Sequence, residues 1–145
     1  MLQTHTNLYL FIYQLKKQNK YNMKLESSTP LKGKVQQYIL TGCTAEQAKK
    51  SADNILTEAG YTLKKEEQTG SEYTKGNRIL RLLLGAFIKY NKLTVTASES
   101  NQQVTLVVNN DSSGFSGGLI GMNQVKNEFK RVVESFDEKL GTALY

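Results

Sequence analysis

The sequence predicts an α+β fold, a two-layer sandwich in which a mostly antiparallel sheet of about five strands carries two or three helices on one face. Three observations lead to this prediction: strand pairs separated by short polar turns, two segments with apolar residues at helical spacing, and glycines at the element ends. Hairpins impose antiparallel pairing, and helices with one apolar face cover one side of such a sheet. The predicted order of elements is β-α-β-β-(α)-β-β-α.

The first strand and the first helix follow each other closely. Residues 33–41 are rich in Val, Tyr, Ile and Leu and partly alternate, which is typical of a strand. Thr44 and Gln47 then have the spacing of a capping box, in which each side chain binds the other residue's backbone amide. Apolar residues recur at helical spacing up to Ala59, and Gly60 provides a left-handed helix end.

Two hairpins and a final helix complete the pattern. Residues 61–68 and 71–75 flank a Thr-Gly turn, and the β-branched residues 93–97 and 103–108 flank a polar turn region. Apolar residues then recur every three or four positions from Met122 to Leu140, which predicts a helix.

Residues 77–89 are compatible with two structures. Their apolar content fits a buried strand, and Gly85 lies unfavourably in the middle of a helix. At 100° per residue, however, the basic residues share one narrow side and most apolar residues occupy the rest, so we predict a helix.

The chain has 145 residues and a formal net charge of +6, which is compatible with one domain that has its own core. Residues 1–22 contain three lysines and no acidic residue, so residues 23–145 carry 16 basic and 13 acidic residues. Met23 opens a segment that resembles a translation start. We therefore expect residues 1–22 to be a disordered extension or a mis-assigned start, and residues 23–145 to form a single α+β domain.

The residue types give no catalytic constellation. Cys43 is the one cysteine and His5 the one histidine, which excludes a histidine-based triad, a multi-histidine metal site and an internal disulfide. The apolar stretch from Leu8 to Leu15 has the wrong flanks for a signal peptide and is too short to span a bilayer. We expect a cytoplasmic protein with no cofactor and no metal, and we do not expect an enzyme.

A glycine-rich loop precedes the last helix, and it is the first candidate site. Its glycine amides could bind an anion beside the helix N-terminus, although the Walker and dinucleotide motifs are both absent. The alternative is a plain connection in which Phe115, Leu119 and Ile120 pack into the core edge, and we favour this alternative. The glycines concerned are Gly114, Gly117, Gly118 and Gly121.

A basic surface near residues 77–92 is the second candidate, because no acidic residue occurs between Glu72 and Glu99. A cationic amphipathic helix can bind an anionic membrane or nucleic-acid phosphates, but a charged stripe is most often the solvated side of a packed helix. The predicted surface contains Lys75, Arg78, Arg81, Lys89 and Lys92.

These observations predict a non-enzymatic binding or interaction domain that uses its sheet face or the glycine-rich loop. The alternative is a peripheral binder of anionic membranes or nucleic acid that acts through a basic amphipathic helix at residues 77–92. A protein partner, or a second copy paired through a sheet edge, also fits the sequence.

Overall fold

A computed structural model of the chain describes residues 23–67, 70–77, 79, 83, 90–113 and 118–141. Within these residues, six strands form one antiparallel sheet and two helices pack against it. The strands are β1 Lys24–Ser28, β2 Val35–Thr41, β3 Thr62–Glu67, β4 Gly70–Gly76, β5 Tyr90–Ser100 and β6 Gln103–Asn110. The helices are α1 Ala45–Glu58 and α2 Gly118–Gly141. The predicted α+β class is confirmed, with six strands in place of about five.

The strands lie in the order β1-β2-β6-β5-β4-β3, and all neighbours are antiparallel. Both predicted hairpins are present, as β3–β4 and β5–β6, and α1 carries the chain across the sheet from β2 to the far edge at β3. Ile79 and Leu83, between β4 and β5, are both helical, as predicted for this segment. Most of the other residues of that segment lie outside the described ones.

Strand β1 was not predicted from the sequence. Its residues, Lys24 to Ser28, contain a single apolar side chain and no alternation, so they carry no strand signal of their own. The strand forms because its backbone pairs with β2, from Lys24 opposite Thr41 to Ser28 opposite Tyr38. An edge strand of this kind depends on its neighbour more than on its own side chains.

Helix α1 has the predicted ends. The Thr44 hydroxyl accepts from the Gln47 amide, and the Gln47 side chain accepts from the Thr44 amide, which completes the capping box. At the other end, Gly60 has φ +86° and its amide donates to Thr57, while the Tyr61 amide donates to Leu56. These two bonds form a Schellman motif, which requires a left-handed residue at Gly60.

The core lies between the helices and one face of the sheet. Side chains alternate along β2 and β6, so that Tyr38, Leu40 and Leu106 are fully buried while their neighbours face the other side. The apolar stripes of α1 and α2 cover this face and join the same cluster, and the Tyr38 ring stacks on Phe136 with centroids 5.5 Å apart. The two helices therefore occupy one layer above the sheet.

Two further expectations concern the chain termini and membranes. The expectation for residues 1–22 falls outside the described residues and stays a prediction. In the described part of the chain, no helix combines the length and the apolar composition needed to cross a bilayer.

We predict that Gly60→Ala lowers the free energy of unfolding by about 1–2 kcal/mol, because a left-handed conformation places Cβ too close to the backbone. Urea denaturation followed by circular dichroism measures the change. Gly141→Ala is the matched control, since no atom lies within 4 Å of the added Cβ there and the backbone is not left-handed. Equal destabilisation by both substitutions would contradict the conformational explanation.

Candidate functional site

Both segments that the sequence singled out leave the sheet at the same end. Strand β4 ends at Gly76 opposite Tyr90, the first residue of β5, and β6 ends at Asn110 opposite Leu93. The connection from β4 to β5 and the glycine-rich connection to α2 therefore start side by side. Strand β2 also begins here, because Val35 pairs with Asn109.

Hydrogen bonds fix the start of the glycine-rich loop. The Ser112 hydroxyl accepts from the Lys92 amide at 2.8 Å and donates to the Lys92 carbonyl at 3.1 Å. The Asp111 amide donates to the same carbonyl at 2.9 Å, and Asn110 Oδ1 accepts from the Ser112 amide at 3.1 Å. Ser112 is 1% exposed, so these bonds attach the loop firmly to the first residues of β5.

The structure places two of the four predicted glycines in a helix. Gly118 and Gly121 belong to the first turn of α2, which begins four residues before Met122, the predicted start of this helix. Gly118 has φ +54°, a conformation that suits glycine, and no atom lies within 4 Å of an added Cβ. Gly114 and Gly117 lie outside the described residues, so anion binding by this loop stays a prediction.

The first turn of α2 exposes apolar side chains. Leu119 is 81% exposed, Ile120 is 65% exposed and Met122 is 55% exposed. The expectation that Leu119 and Ile120 pack into the core edge is therefore wrong. Met122 occupies the core-facing side of the helical repeat and is still 55% exposed, although Gly121 beside it is buried, and side-chain burial on the stripe begins at Val125.

A second exposed apolar pair lies in the connection between β4 and β5. Ile79 is 70% exposed and Leu83 is 74% exposed. Both residues are helical, and they are four positions apart in the sequence. Leu31 and Val35, at the start of β2, are also exposed at this end of the sheet.

We refer to these side chains together as the apolar end of the domain. They come from three connections that meet where β2, β4, β5 and β6 begin or end. Clustering of this kind differs from single exposed hydrophobic residues, which are normal on protein surfaces. The residues are Leu31, Val35, Ile79, Leu83, Leu119, Ile120 and Met122.

A charged cluster around Glu128 positions α2 relative to the rest of the domain. Glu128 Oε1 accepts from Arg131 Nη2 at 2.7 Å, from Lys75 Nζ at 3.0 Å and from the Tyr61 hydroxyl at 3.3 Å. Arg131 and Lys75 also donate to the carbonyl of Ala59, at 3.1 Å and 2.8 Å. Two cations thus bind the C-terminus of α1, where the helix dipole favours positive charge.

This cluster joins β4 to α2, the two elements next to the exposed apolar sets. Met122 precedes Glu128 by six residues, which places it about 9 Å along the helix axis from the ion pair with Lys75. In the sequence, Ile79 follows Lys75 by four residues.

The two described lysines of the predicted basic surface lie on opposite faces of the sheet. Lys75 faces the helices and binds Glu128, whereas Lys92 faces the opposite side of the sheet and binds Glu72 at 2.8 Å. The two lysines are in strands rather than on a helix, and successive strand residues alternate between faces. Arg78, Arg81 and Lys89 lie outside the described residues, so a basic surface formed by these three stays a prediction.

Cations nevertheless accompany the apolar end. Lys32, Lys34 and Lys126 are exposed there, and the Thr94 hydroxyl donates a hydrogen bond to the carboxylate of Asp111. In the connections at this end, residues 29–34, 59–61, 77–89 and 111–117, the sequence contains five basic residues and one acidic residue. The connections at the other end, residues 42–44, 68–69 and 101–102, contain no charged residue.

The Cys43 thiol and the Tyr73 phenol, which could in principle react, both have pKa values above their usual range. Burial, with a contribution from Glu99, raises the pKa of the Cys43 thiol, which favours the neutral form. A cleft between α1 and β3 reaches Lys49, Asp53 and Tyr73, but burial and the nearby Asp53 raise the pKa of the Tyr73 phenol. Among the described residues, no three His, Cys, Asp or Glu side chains are grouped as metal ligands would be.

We predict that Glu128→Gln lowers the free energy of unfolding by about 2 kcal/mol at neutral pH, because it weakens charge-assisted hydrogen bonds in a part-buried site. Burial alone would raise the pKa of Glu128, but the hydrogen bonds from Arg131 and Lys75 outweigh it and lower the pKa. A lowered pKa stabilises the fold above the unfolded-state value of about 4.3, and this stabilisation is lost as the pH falls through the folded-state pKa.

Urea denaturation of both proteins between neutral pH and pH 3 measures this difference, which should shrink as the pH falls below about 4. Glu134→Gln is the control, because Glu134 is exposed and its ion pair with Lys130 is 3.8 Å long. A difference between wild type and Glu128→Gln that does not change with pH would contradict the electrostatic explanation.

The apolar end is thus defined by its position, its exposure and its charge. It combines apolar side chains on two helical turns with lysines on neighbouring connections, and the Glu128 cluster and Ser112 attach these connections to the sheet. Compared with protein-family models and with curated proteins, the chain matches none.

Proposed function

We propose that the protein is a non-enzymatic interaction domain that docks through its apolar end. The observation that carries this proposal is the exposure of Leu119, Ile120 and Met122 in the first residues of α2. Removing apolar surface from water contributes about 25 cal/mol per Å². Exposed apolar side chains that cluster in this way are characteristic of binding surfaces.

The sheet face opposite the helices is less suited to docking. Its central side chains are mostly threonines and other polar residues, as at Thr94, Thr96 and Thr105, and they are half-buried by their neighbours. The two apolar residues in the middle, Ile39 and Val107, are equally shielded. We therefore assign docking to the end of the sheet rather than to its face.

Several features support a non-enzymatic role. The Cys43 thiol is favoured in its neutral form, and the Glu128 carboxylate is held ionised by two cations. A general acid or base works best with a pKa near the operating pH, and neither group is shifted toward it. The free cysteine also agrees with a reducing compartment, and we place the protein in the cytoplasm.

Nucleic-acid binding receives less support than docking by apolar contact. Single-stranded nucleic acids stack on exposed aromatic side chains. Tyr73, before the connection to β5, is 2% exposed and points into the core, so that Tyr90, the half-buried first residue of β5, is the one described tyrosine beside this connection with exposed surface. Tyr73 cannot act as a stacking platform without unfolding of β4.

We predict that a thiol at position 122 becomes protected inside cells. In a Cys43→Ser background, Met122→Cys should react with a permeant maleimide quickly in the purified full-length protein and several-fold more slowly in intact cells. The physical reason is that a docked apolar end excludes the reagent. Mass spectrometry of the labelled protein measures both rates without knowledge of the partner.

Ser100→Cys in the same background is the matched control, since Ser100 is exposed at the opposite end of β5. Its labelling rate corrects for reagent entry and for competing thiols. Equal corrected rates for position 122 in cells and in buffer would refute docking through the apolar end.

A further inference from the structure

We propose that the apolar end binds an anionic membrane surface, with the exposed apolar side chains in the interfacial layer and the lysines at the headgroups. This inference rests on the proposed docking function and names what occupies the docking surface. It is carried by the arrangement of the apolar residues, by the charge at this end and by the exposed face of α2.

The apolar residues project from separate connections. Leu31 precedes β2, Ile79 and Leu83 follow β4, and Leu119 to Met122 form the first turn of α2. The clefts described on this domain are lined by other residues, near α1 and at the opposite end of β5. Side chains that protrude from several connections fit a fluid interface, which needs no complementary shape.

The charge of the domain orients this end toward an anionic surface. Among the described residues at the apolar end, Lys32, Lys34 and Lys126 are exposed, and Asp111 is the acidic residue of the same segments. The connections at the opposite end, residues 42–44, 68–69 and 101–102, contain no charged residue. An anionic membrane surface therefore attracts the apolar end more strongly than the other end, before any apolar contact forms.

The first residues of α2 also combine exposed apolar side chains with an exposed lysine. Leu119, Met122 and Lys126 are spaced by three and four residues, so they lie along one side of the helix. Lys126 can extend its apolar stem along this side while its ammonium group remains at the headgroups. The first turn of α2 has no acidic residue that would oppose this contact.

The test is co-sedimentation of the full chain with phosphatidylcholine vesicles, with and without phosphatidylglycerol. We expect binding to the anionic vesicles that weakens with added salt. The triple substitution Leu119→Ser, Ile120→Ser and Met122→Ser should weaken this binding about tenfold. Leu63→Ser is the control and should not, because Leu63 is exposed on the edge strand β3 beside the α1 cleft and is not one of the apolar-end residues.

The charge contribution is tested separately. Lys126→Gln should weaken binding to anionic vesicles about threefold, because it removes one of the positive charges that anionic headgroups attract. Lys130→Gln, one turn further along α2, should have no effect, since Lys130 pairs with Glu134 and lies further from the exposed residues Leu119 and Met122. Circular dichroism checks that each variant is folded.

The outcomes separate this inference from the proposed function. Equal binding by the triple variant and wild type would overturn the inference, as would equal binding to neutral and anionic vesicles. Protection of position 122 in cells without any binding to vesicles would refute the membrane and leave docking on a protein partner. If position 122 is not protected in cells and the protein does not bind vesicles, the proposed function is refuted as well.

Discussion

The carboxylate of Glu128 is the point at which α1, β4 and α2 are joined. It binds Lys75 from β4 and Arg131 from its own helix. Both cations also donate to the carbonyl of Ala59, the C-cap residue of α1. The stack of Phe136 on Tyr38 fixes α2 a second time, about 12 Å further along its axis. These two contacts fix the axial position of the helix, and with it the position of the exposed side chains of Leu119, Ile120 and Met122.

Elements with local signals were predictable from sequence. The capping box at Thr44, the glycine end at Gly60 and the two hairpins each depend on residues close together in the chain. Strand β1 was not predictable, since its stability comes from pairing with β2. The exposure of Leu119 was missed for a different reason: periodicity identifies which side of a helix is apolar but not where the opposing layer ends. Lys92 was placed on the basic surface by helical spacing, but it lies in β5, and it faces the side of the sheet opposite to Lys75.

The apolar end has an unusual distribution of polarity. Inside it, Gln36, Asn91, Asn110 and Ser112 are nearly fully buried, whereas large apolar side chains lie outside. Ser112 holds the loop on β5, and Gln36 Nε2 donates to the Thr29 carbonyl at 2.7 Å, which holds the connection between β1 and β2. Buried polar side chains therefore attach the connections whose outer residues are apolar. Such attachment reduces the conformational entropy that docking would otherwise cost.

The two edges of the sheet are both protected. Strand β3 carries Lys64, Lys65, Glu66 and Glu67, strand β1 is short, and each edge strand has a register shift in its pairing. Charges and irregular pairing hinder the addition of a strand from another molecule. Proteins gathered on a two-dimensional surface meet one another far more often than in bulk solution, and open edges would then join them into extended sheets. On the membrane surface proposed above, such edges would hinder strand-to-strand pairing between neighbouring copies of this domain.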